Sequence, residues 1–147
     1  MAHTFTNLLS HVVFSTCGRA PFLVDGIRSD VHAYIGGIMR ELKATPIVIG
    51  GTSDHVHLLT RVPADMTVAD CMRVVKANSS RWLKQRWPER RTFAWQGGYG
   101  AFSVSESNRG AVIRYIRPLR GLAARDAALF PRLTPGLPSF IPAAWAK

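Results

Sequence analysis

Hydrophobic residues recur with two different spacings along residues 7–117, and the spacings predict alternating strands and helices. Short runs rich in β-branched and aromatic residues predict strands at residues 7–15, 46–51, 54–62 and 101–105. Apolar positions three or four residues apart predict helices over residues 25–42, 67–87 and 106–117. This order predicts an α+β fold with a ferredoxin-like (RRM-like) antiparallel sheet and helices on one face. The other face is expected to be left to a substrate or a second subunit.

Local signals add detail to the first two helices. Asp25 is predicted to cap the first helix, which the pair Gly36-Gly37 weakens in its middle. Because glycine has no local benefit inside a helix, the pair indicates close packing against the sheet. Thr67 is predicted to cap the second helix, with Asp70 three residues later.

The pattern changes at about residue 118. Five prolines lie at or after this position, and Asp126 is the single acidic residue there. No helical spacing is sustained over this stretch. We therefore predict a folded domain at residues 1–117 and a Pro-rich tail, either an extended arm or poorly ordered, at residues 118–147.

Charge indicates the class of partner. The 147 residues include 19 Lys and Arg against 9 Asp and Glu, which gives a net charge of +10. A small, strongly basic domain most often binds nucleic acid, with a membrane surface as the second alternative. No apolar run approaches the roughly 18 residues of a spanning helix, and the N-terminus lacks a signal-peptide pattern. Since Cys17 and Cys71 lack metal-site spacing, a reduced, cytoplasmic protein is expected.

Two histidines distinguish the third predicted strand. A glycine turn at residues 50–51 precedes His55 and His57, which are separated by one residue. Alternate residues of a strand point to the same face, so both imidazoles are expected on one side and Val56 on the other. Such a pair can hold one divalent metal ion if a third ligand comes from elsewhere. A half-buried polar strand face without a metal is the alternative interpretation.

Tyr115 lies in the last predicted helix and has two candidate roles. A tyrosine on an amphipathic helix is most often a core residue. As a nucleophile it would need help, because the unperturbed pKa of its phenol is about 10. A metal ion that polarises a scissile phosphate and stabilises the leaving oxygen provides that help. The pairing of His55 and His57 with Tyr115 is therefore chemically consistent with phosphodiester transfer.

A basic surface with aromatic residues is the third candidate feature. Cations hold a nucleic-acid backbone, and aromatic rings stack on unpaired bases. The alternative is a solvated helix face beside core tryptophans. The predicted nucleic-acid contacts are Arg19, Lys76, Arg81, Lys84, Arg90, Arg91 and Tyr99.

Three segments together resemble one family. They are residues 6–16 (TNLLSHVVFST), 50–59 (GGTSDHVHLL) and 95–105 (WQGGYGAFSVS). Residues 76–82 (KANSSRW) are similar to the central helix of the same family. The family is that of the small single-tyrosine transposases of the His-hydrophobe-His (HUH) class, which includes insertion-sequence and REP-associated members. The resemblance covers about residues 5–116.

The resemblance implies a ferredoxin-like fold, a homodimer and a place in the bacterial cytoplasm, at the nucleoid. It implies cleavage and rejoining of single-stranded DNA next to hairpins. His55 and His57 would hold Mg²⁺ or Mn²⁺, and Tyr115 would form a 5′-phosphotyrosine and leave a 3′-hydroxyl. In several relatives, the tyrosine helix of one subunit completes the site of the other.

The sequence departs from the family pattern just after Tyr115. Relatives usually carry a glutamine one turn later as the third metal ligand, and this chain has Leu119 there. The preceding Pro118 also lacks the amide that a continuing helix would use. Position 17, often lysine in relatives, is Cys17. We hypothesise that residues from about 117 are a divergent or out-of-frame end on an otherwise intact transposase domain.

Two alternatives follow from this departure. Water, or a carboxylate such as Glu106 or Asp126, could replace the missing ligand. Without a replacement, the chain would be a catalytically impaired hairpin-DNA-binding protein on the same scaffold. A ferredoxin-like RNA-binding module with an incidental histidine pair is the further alternative, and it would not require Tyr115.

Overall fold

The computed structural model describes residues 3–117, and the predicted tail, with Leu119 and Asp126, lies outside them. The strands are β1 (Leu9–Ser15), β2 (Thr45–Gly51), β3 (His55–Arg61) and β4 (Gly100–Ser103), and the helices are α1 (Ile27–Glu41), α2 (Val68–Arg86) and α3 (Arg109–Ile116). Neighbouring strands are antiparallel, and the sheet order is β2-β3-β1-β4. The predicted ferredoxin-like fold is therefore confirmed, with several element ends shifted.

The main core lies between one face of the sheet and the helices α1 and α2. Val12 and Phe14 of β1 and Val56 and Leu58 of β3 are fully buried in it. Because alternate residues of a strand share a face, all four point to the same side. Their helical partners in this core include Ile35, Met39, Met72 and Val75.

The helix ends show which predicted caps form. The Thr67 hydroxyl accepts a hydrogen bond from the backbone N–H of Asp70 at 3.0 Å, so the predicted cap of α2 is confirmed. The predicted cap of α1 is wrong, because Gly26, with a φ of 87°, occupies the N-cap position. Glycine reaches this positive φ without the clash that a Cβ would cause. The carboxylate of Asp25 instead pairs with Arg28 at 2.5 Å.

The described part of the chain shows the character of each helix and the surroundings of the two cysteines. Within residues 3–117, no helix has both the length and the apolar character needed to cross a membrane. Cys17 is exposed, Cys71 is buried, and both are free thiols. Burial raises the pKa of the Cys71 thiol to about 11, so this side chain behaves as a small core residue.

The second face of the sheet is partly covered by α3, which follows a 3₁₀ turn at Glu106–Asn108. Val112 and Ile116 of α3 form a second buried cluster with Val48 of β2 and Leu59 of β3. The face that was expected to be left to a substrate or a second subunit therefore carries a helix of the same chain.

The glycine pair in α1 has one member in contact with the sheet. A Cβ built on Gly36 would lie 3.6 Å from the Cδ1 atom of Ile49 in β2, which is ordinary van der Waals contact. A Cβ built on Gly37 would meet nothing within 4 Å. The predicted close packing is thus confirmed for Gly36 alone.

Gly50 of β2 lies directly against the last residue of α3. A Cβ at this position would lie 2.3 Å from the carbonyl oxygen of Ile116 and 2.9 Å from its Cγ2 atom. Atoms that are not bonded cannot come so close, so α3 takes this position only because residue 50 has no side chain. Tyr115 is the neighbour of Ile116, and its placement depends on the same contact.

We predict that Gly50→Ala displaces α3 and lowers the free energy of unfolding by about 1–3 kcal/mol, as overpacking usually does. Gly37→Ala is the matched control, since its new methyl group has open space. It should raise stability by about 0.5–1 kcal/mol, because alanine favours a helix over glycine. Urea unfolding measures both changes. An unchanged midpoint for Gly50→Ala would contradict the backbone contact.

Candidate metal and nucleophile site

Strand β3 presents both predicted histidines on one face of the sheet. His55 and His57 are 6% and 7% exposed, whereas Val56 and Leu58 lie in the main core on the opposite face. The two imidazole centroids are 5.0 Å apart. The predicted orientation is therefore confirmed, and both rings lie on the side that α3 covers.

A carboxylate holds the ring of His55. Its Nδ1 lies 2.7 Å from Oδ1 of Asp54 and 2.8 Å from the Thr52 hydroxyl. Oδ2 of Asp54 lies 3.3 Å from Nε of Arg19. Burial acts to raise the pKa of Asp54, but the hydrogen bond and charge of His55 and the charge of Arg19 lower it to about 2. The ionised carboxylate accepts the Nδ1 proton, so a neutral His55 ring has its lone pair on Nε2.

A second imidazole holds the ring of His57. Its Nδ1 lies 2.9 Å from Nε2 of His11, which belongs to the adjacent strand β1. His11 is 5% exposed, and burial lowers its pKa to about 4. Burial also lowers the pKa of His57, with smaller contributions from the charges of His55 and His11. Both members of this pair are therefore neutral at pH 7, the form in which an imidazole binds a metal.

Helix α3 places Tyr115 beside the same rings. The centroid of its ring lies 5.6 Å from that of His57 and 6.0 Å from that of His11, edge-on to both. Burial raises the pKa of Tyr115, so its hydroxyl keeps its proton at neutral pH unless another group or a cation stabilises the phenolate. The structure thus brings the predicted nucleophile and the predicted metal ligands together within one chain.

The donor set fits a divalent cation with two nitrogen ligands. Because Nδ1 is engaged in both strand histidines, Nε2 is the ring nitrogen that each can offer. Imidazole ligands favour a transition-metal ion over Mg²⁺, which prefers oxygen ligands. Among residues 3–117, no three His, Cys, Asp or Glu side chains are grouped as a metal site. A cation here would therefore need a further donor beyond the His, Cys, Asp and Glu side chains of this range.

Glu106, a candidate for the missing ligand, lies at the other end of β3. Its Oε1 is 3.1 Å from Nη2 of Arg61 and 3.5 Å from Nη1 of Arg109. Arg61 ends the strand that His55 begins, and six residues of strand span about 20 Å. Glu106 is therefore too far away to complete a site at the two histidines.

Lys76, one of the predicted nucleic-acid contacts, holds the loop that leads into β4. Its Nζ donates to the carbonyl oxygens of Gln96 at 2.6 Å and Gly98 at 2.8 Å. The Gln96 side chain in turn lies 3.4 Å from the hydroxyl of Ser15, the residue paired with His55 across β1 and β3. Lys76 therefore links α2 to the border of the histidine site and does not present a free ammonium group.

Three other predicted contacts lie away from the histidine site. Arg81 and Lys84 are exposed on α2, which packs against the opposite face of the sheet. Arg81 hydrogen-bonds the side chain of Asn78 within the same helix. Arg90 donates from Nη1 to the carbonyl oxygen of Phe22 at 3.3 Å. These three residues are not brought together with Tyr115.

The remaining three predicted contacts lie in three different environments. Arg91 is exposed, and Tyr99 is half-buried against the main core. Arg19 pairs with Asp54, which holds His55, and so reaches the histidine site through one intermediate residue. Of the predicted cations, Arg19 is therefore the best placed to meet a phosphate near the strand histidines.

His11, Thr52 and Asp54 are not among the predicted site residues, although each contacts a strand histidine. The sequence offered a signal for Asp54, because it directly precedes His55. A polar residue at an inward position of a strand was the available signal for His11. Its partner could not be read from the sequence, because the contact is set by register. His11 lies diagonally across from His57, whose direct partner is Val13.

Comparisons with known proteins show which family and which fold the chain shares. The family model described as "Transposase IS200 like" matches residues 4–118. Among solved structures, the chain is similar to a protein described as a transposase from Deinococcus radiodurans R1, with a TM-score of 0.68 and 20% identity over 83% of this chain and 98% of that one. It is also similar to a REP-associated tyrosine transposase bound to a REP hairpin, with a TM-score of 0.58 and 12% identity over 79% of this chain and 68% of that one.

No curated protein matches the chain. At identities of 20% and 12%, the two solved structures show a shared fold. The family model spans most of the chain, including β1, the strand histidines and Tyr115. The chain therefore belongs to the IS200-like transposase family.

Proposed function

We propose that this protein is a DNA transposase that cleaves and rejoins single-stranded DNA near hairpins. Tyr115 is the proposed nucleophile, and His55 and His57 are the proposed ligands of Mg²⁺ or Mn²⁺. The observation that supports the proposal most is the position of the phenol: its ring lies edge-on at 5.6 Å from His57, on the face that also carries His55. Membership of a transposase family agrees with this chemistry.

The proposed reaction exchanges one ester of the phosphate for another. The hydroxyl oxygen of Tyr115 attacks phosphorus and forms a 5′-phosphotyrosine, while the bond from phosphorus to the 3′ oxygen breaks. Tyrosine loses its proton, and the leaving oxygen gains one to become a 3′-hydroxyl. In the rejoining step, a 3′-hydroxyl attacks the phosphotyrosine and restores the tyrosine. Because the ester energy is conserved, neither step needs an external energy source.

The side chains of the site have separate tasks in this scheme. A bound divalent cation would polarise the phosphate and stabilise the leaving oxygen. His55, held by Asp54, and His57, held by His11, offer nitrogen ligands whose directions are set by hydrogen bonds. Helix α3 holds the phenol beside them, which lowers the entropy cost of attack.

Charge and structural likeness support DNA as the partner. A net charge of +10 attracts a phosphate backbone. One structurally similar protein is a transposase bound to a REP hairpin, and we extend hairpin DNA to this chain by analogy. Arg19 is the proposed phosphate contact beside the site. The homodimer implied by the resemblance stays a prediction.

A catalytically impaired protein that binds hairpin DNA is the second candidate. It is favoured by Leu119, which occupies the position where relatives carry a metal-binding glutamine. Leucine cannot bind a metal, and fewer protein ligands hold a cation more weakly. This candidate binds hairpins in a salt-sensitive manner and forms no covalent adduct. The match to a transposase family favours DNA over the RNA-binding alternative.

We predict that the protein forms a covalent complex with hairpin-bearing single-stranded DNA in the presence of Mn²⁺. Tyr115→Phe removes only the attacking hydroxyl and should reduce the complex to background. Tyr34→Phe is the matched control, since Tyr34 stacks on Trp82 on the far side of the sheet and should not affect the reaction. Denaturing gels measure the complex.

The position of the DNA label makes this test sharper. A label at the 3′ end should move with the protein, whereas a label at the 5′ end should appear on a released strand with a 3′-hydroxyl. An adduct that persists in Tyr115→Phe contradicts the assignment of the nucleophile. Tight hairpin binding by the wild type with no adduct supports the second candidate.

We predict that Leu119→Gln tightens Mn²⁺ binding by about tenfold or more, since even a contact outside the ligand shell changes metal affinity by about 10–100-fold. Leu119→Met has a similar size but no amide oxygen, and it should leave the affinity unchanged. Titrations followed by the electron paramagnetic resonance of free Mn²⁺ measure both variants. Equal affinities for the Gln and Met variants would count against the family's ligand position in this chain.

A further inference from the structure

The two strand histidines are held at Nδ1 by partners of different chemistry. Asp54 holds His55 with a carboxylate, which only accepts, so Nδ1 of His55 carries the proton. His11 holds His57 with an imidazole, whose Nε2 lies 2.9 Å from Nδ1 of His57. An imidazole nitrogen donates in one tautomer and accepts in the other, so this second bond has two forms.

Only one of these forms lets His57 bind a cation through Nε2. If Nε2 of His11 donates, Nδ1 of His57 accepts, and the single proton of His57 sits on Nε2 and blocks it. If Nδ1 of His57 donates, Nε2 of His57 keeps its lone pair, and His11 carries its own proton on Nδ1. A neutral imidazole has one N–H group, so the two forms exclude each other.

We propose that His11 is a positioning residue of the metal site, whose Nε2 accepts the Nδ1 proton of His57 and so keeps Nε2 of His57 open to the cation. This inference rests on the proposed function, which assigns the cation to His57. His11 would act through His57 and would not touch the cation or the DNA itself.

The surroundings of the pair hold this hydrogen bond in place. Strands β1 and β3 pair in unbroken register from Leu9 opposite Arg61 to Ser15 opposite His55. Water cannot readily replace the bond, because His11 is only 5% exposed. The ring of His11 is also bordered by those of Tyr115 at 6.0 Å and Phe102 at 6.2 Å, measured between centroids.

The other nitrogen of His11 argues against a purely structural role. Its Nδ1 is buried and has no hydrogen-bond partner among residues 3–117. An apolar ring of similar shape would fill this position without an unsatisfied polar atom. A requirement for a hydrogen-bond partner at Nδ1 of His57 accounts for the presence of histidine at a position where packing alone favours an apolar ring.

Metal titrations of His11 variants test the proposal. His11→Phe keeps a ring but removes the acceptor, and Mn²⁺ affinity should fall by about 10–100-fold, the usual effect of losing such a partner. His11→Gln keeps an acceptor at a similar distance from the backbone and should stay close to the wild-type affinity. Phe102→Leu changes the packing beside His11 without removing an acceptor, so it should leave the affinity unchanged. Thermal unfolding establishes that each variant is folded.

Nuclear magnetic resonance of the wild type gives a readout that a structural role would not produce. Zn²⁺ is used in place of Mn²⁺ for this measurement, because Zn²⁺ is diamagnetic and Mn²⁺ is paramagnetic. In the ¹⁵N-labelled, Zn²⁺-loaded protein, the shared proton should be bonded to Nδ1 of His57 and coupled across the hydrogen bond to Nε2 of His11. Nε2 of His57 should show the shift of a metal-bound nitrogen. A shared proton bonded to Nε2 of His11 would overturn the proposal.

His57→Ala separates failure of this proposal from failure of the proposed function. If it retains the wild-type Mn²⁺ affinity, the metal assignment is wrong and the role of His11 is wrong with it. If it loses binding while a folded His11→Phe keeps it, only the role of His11 is wrong. If His11→Phe does not fold, the affinity of His11→Gln and the proton position in the wild type decide.

Discussion

The candidate site depends on how closely α3 can lie against the sheet. The carbonyl oxygen of Ile116 occupies the space where any residue but glycine at position 50 would carry a Cβ, so the helix contacts the backbone of β2 directly. Ile116 also packs with Leu59 of β3 in the second buried cluster. Since Tyr115 is adjacent to Ile116, the contact that seats the helix also sets the distance from the phenol to His57. A bulkier contact would lift the phenol away from the strand histidines.

Burial and hydrogen bonds together set the charge and the orientation of the histidine rings on the second face of the sheet. Burial favours neutral His11 and His57, because a charged imidazole loses hydration there. The anionic Asp54 orients His55 and also pairs with Arg19. The face thus offers ring nitrogens in defined directions without a fixed excess of positive charge beneath the phenol. In the proposed reaction, a cation held by these nitrogens would add positive charge where a phosphate would lie and where the phenol would lose its proton.

The chain belongs to a transposase family, but its sequence departs from the pattern of the resembled family just after Tyr115. In the described part of the chain, the acidic residue closest in sequence to α3, Glu106, is engaged by Arg61 and Arg109 at the opposite end of β3. No group of three His, Cys, Asp or Glu side chains forms a metal site within residues 3–117. Within residues 3–117, the proposed metal site therefore has His55 and His57 as its protein ligands, without a third side chain of these types beside them.

The sequence by itself determined the strand and helix order, the shared face of the two histidines in β3 and the Thr67 cap of α2. These features depend on residues that are neighbours along the chain, through strand alternation, helical periodicity and a local hydrogen bond. The predicted Asp25 cap of α1 was wrong, because Gly26 occupies the N-cap position and the carboxylate of Asp25 pairs with Arg28. Only the tertiary structure decided that His11 meets His57 and that α3 covers the second face. The first contact requires the register of two strands, and the second requires a backbone approach at Gly50, so both join residues that are distant in sequence.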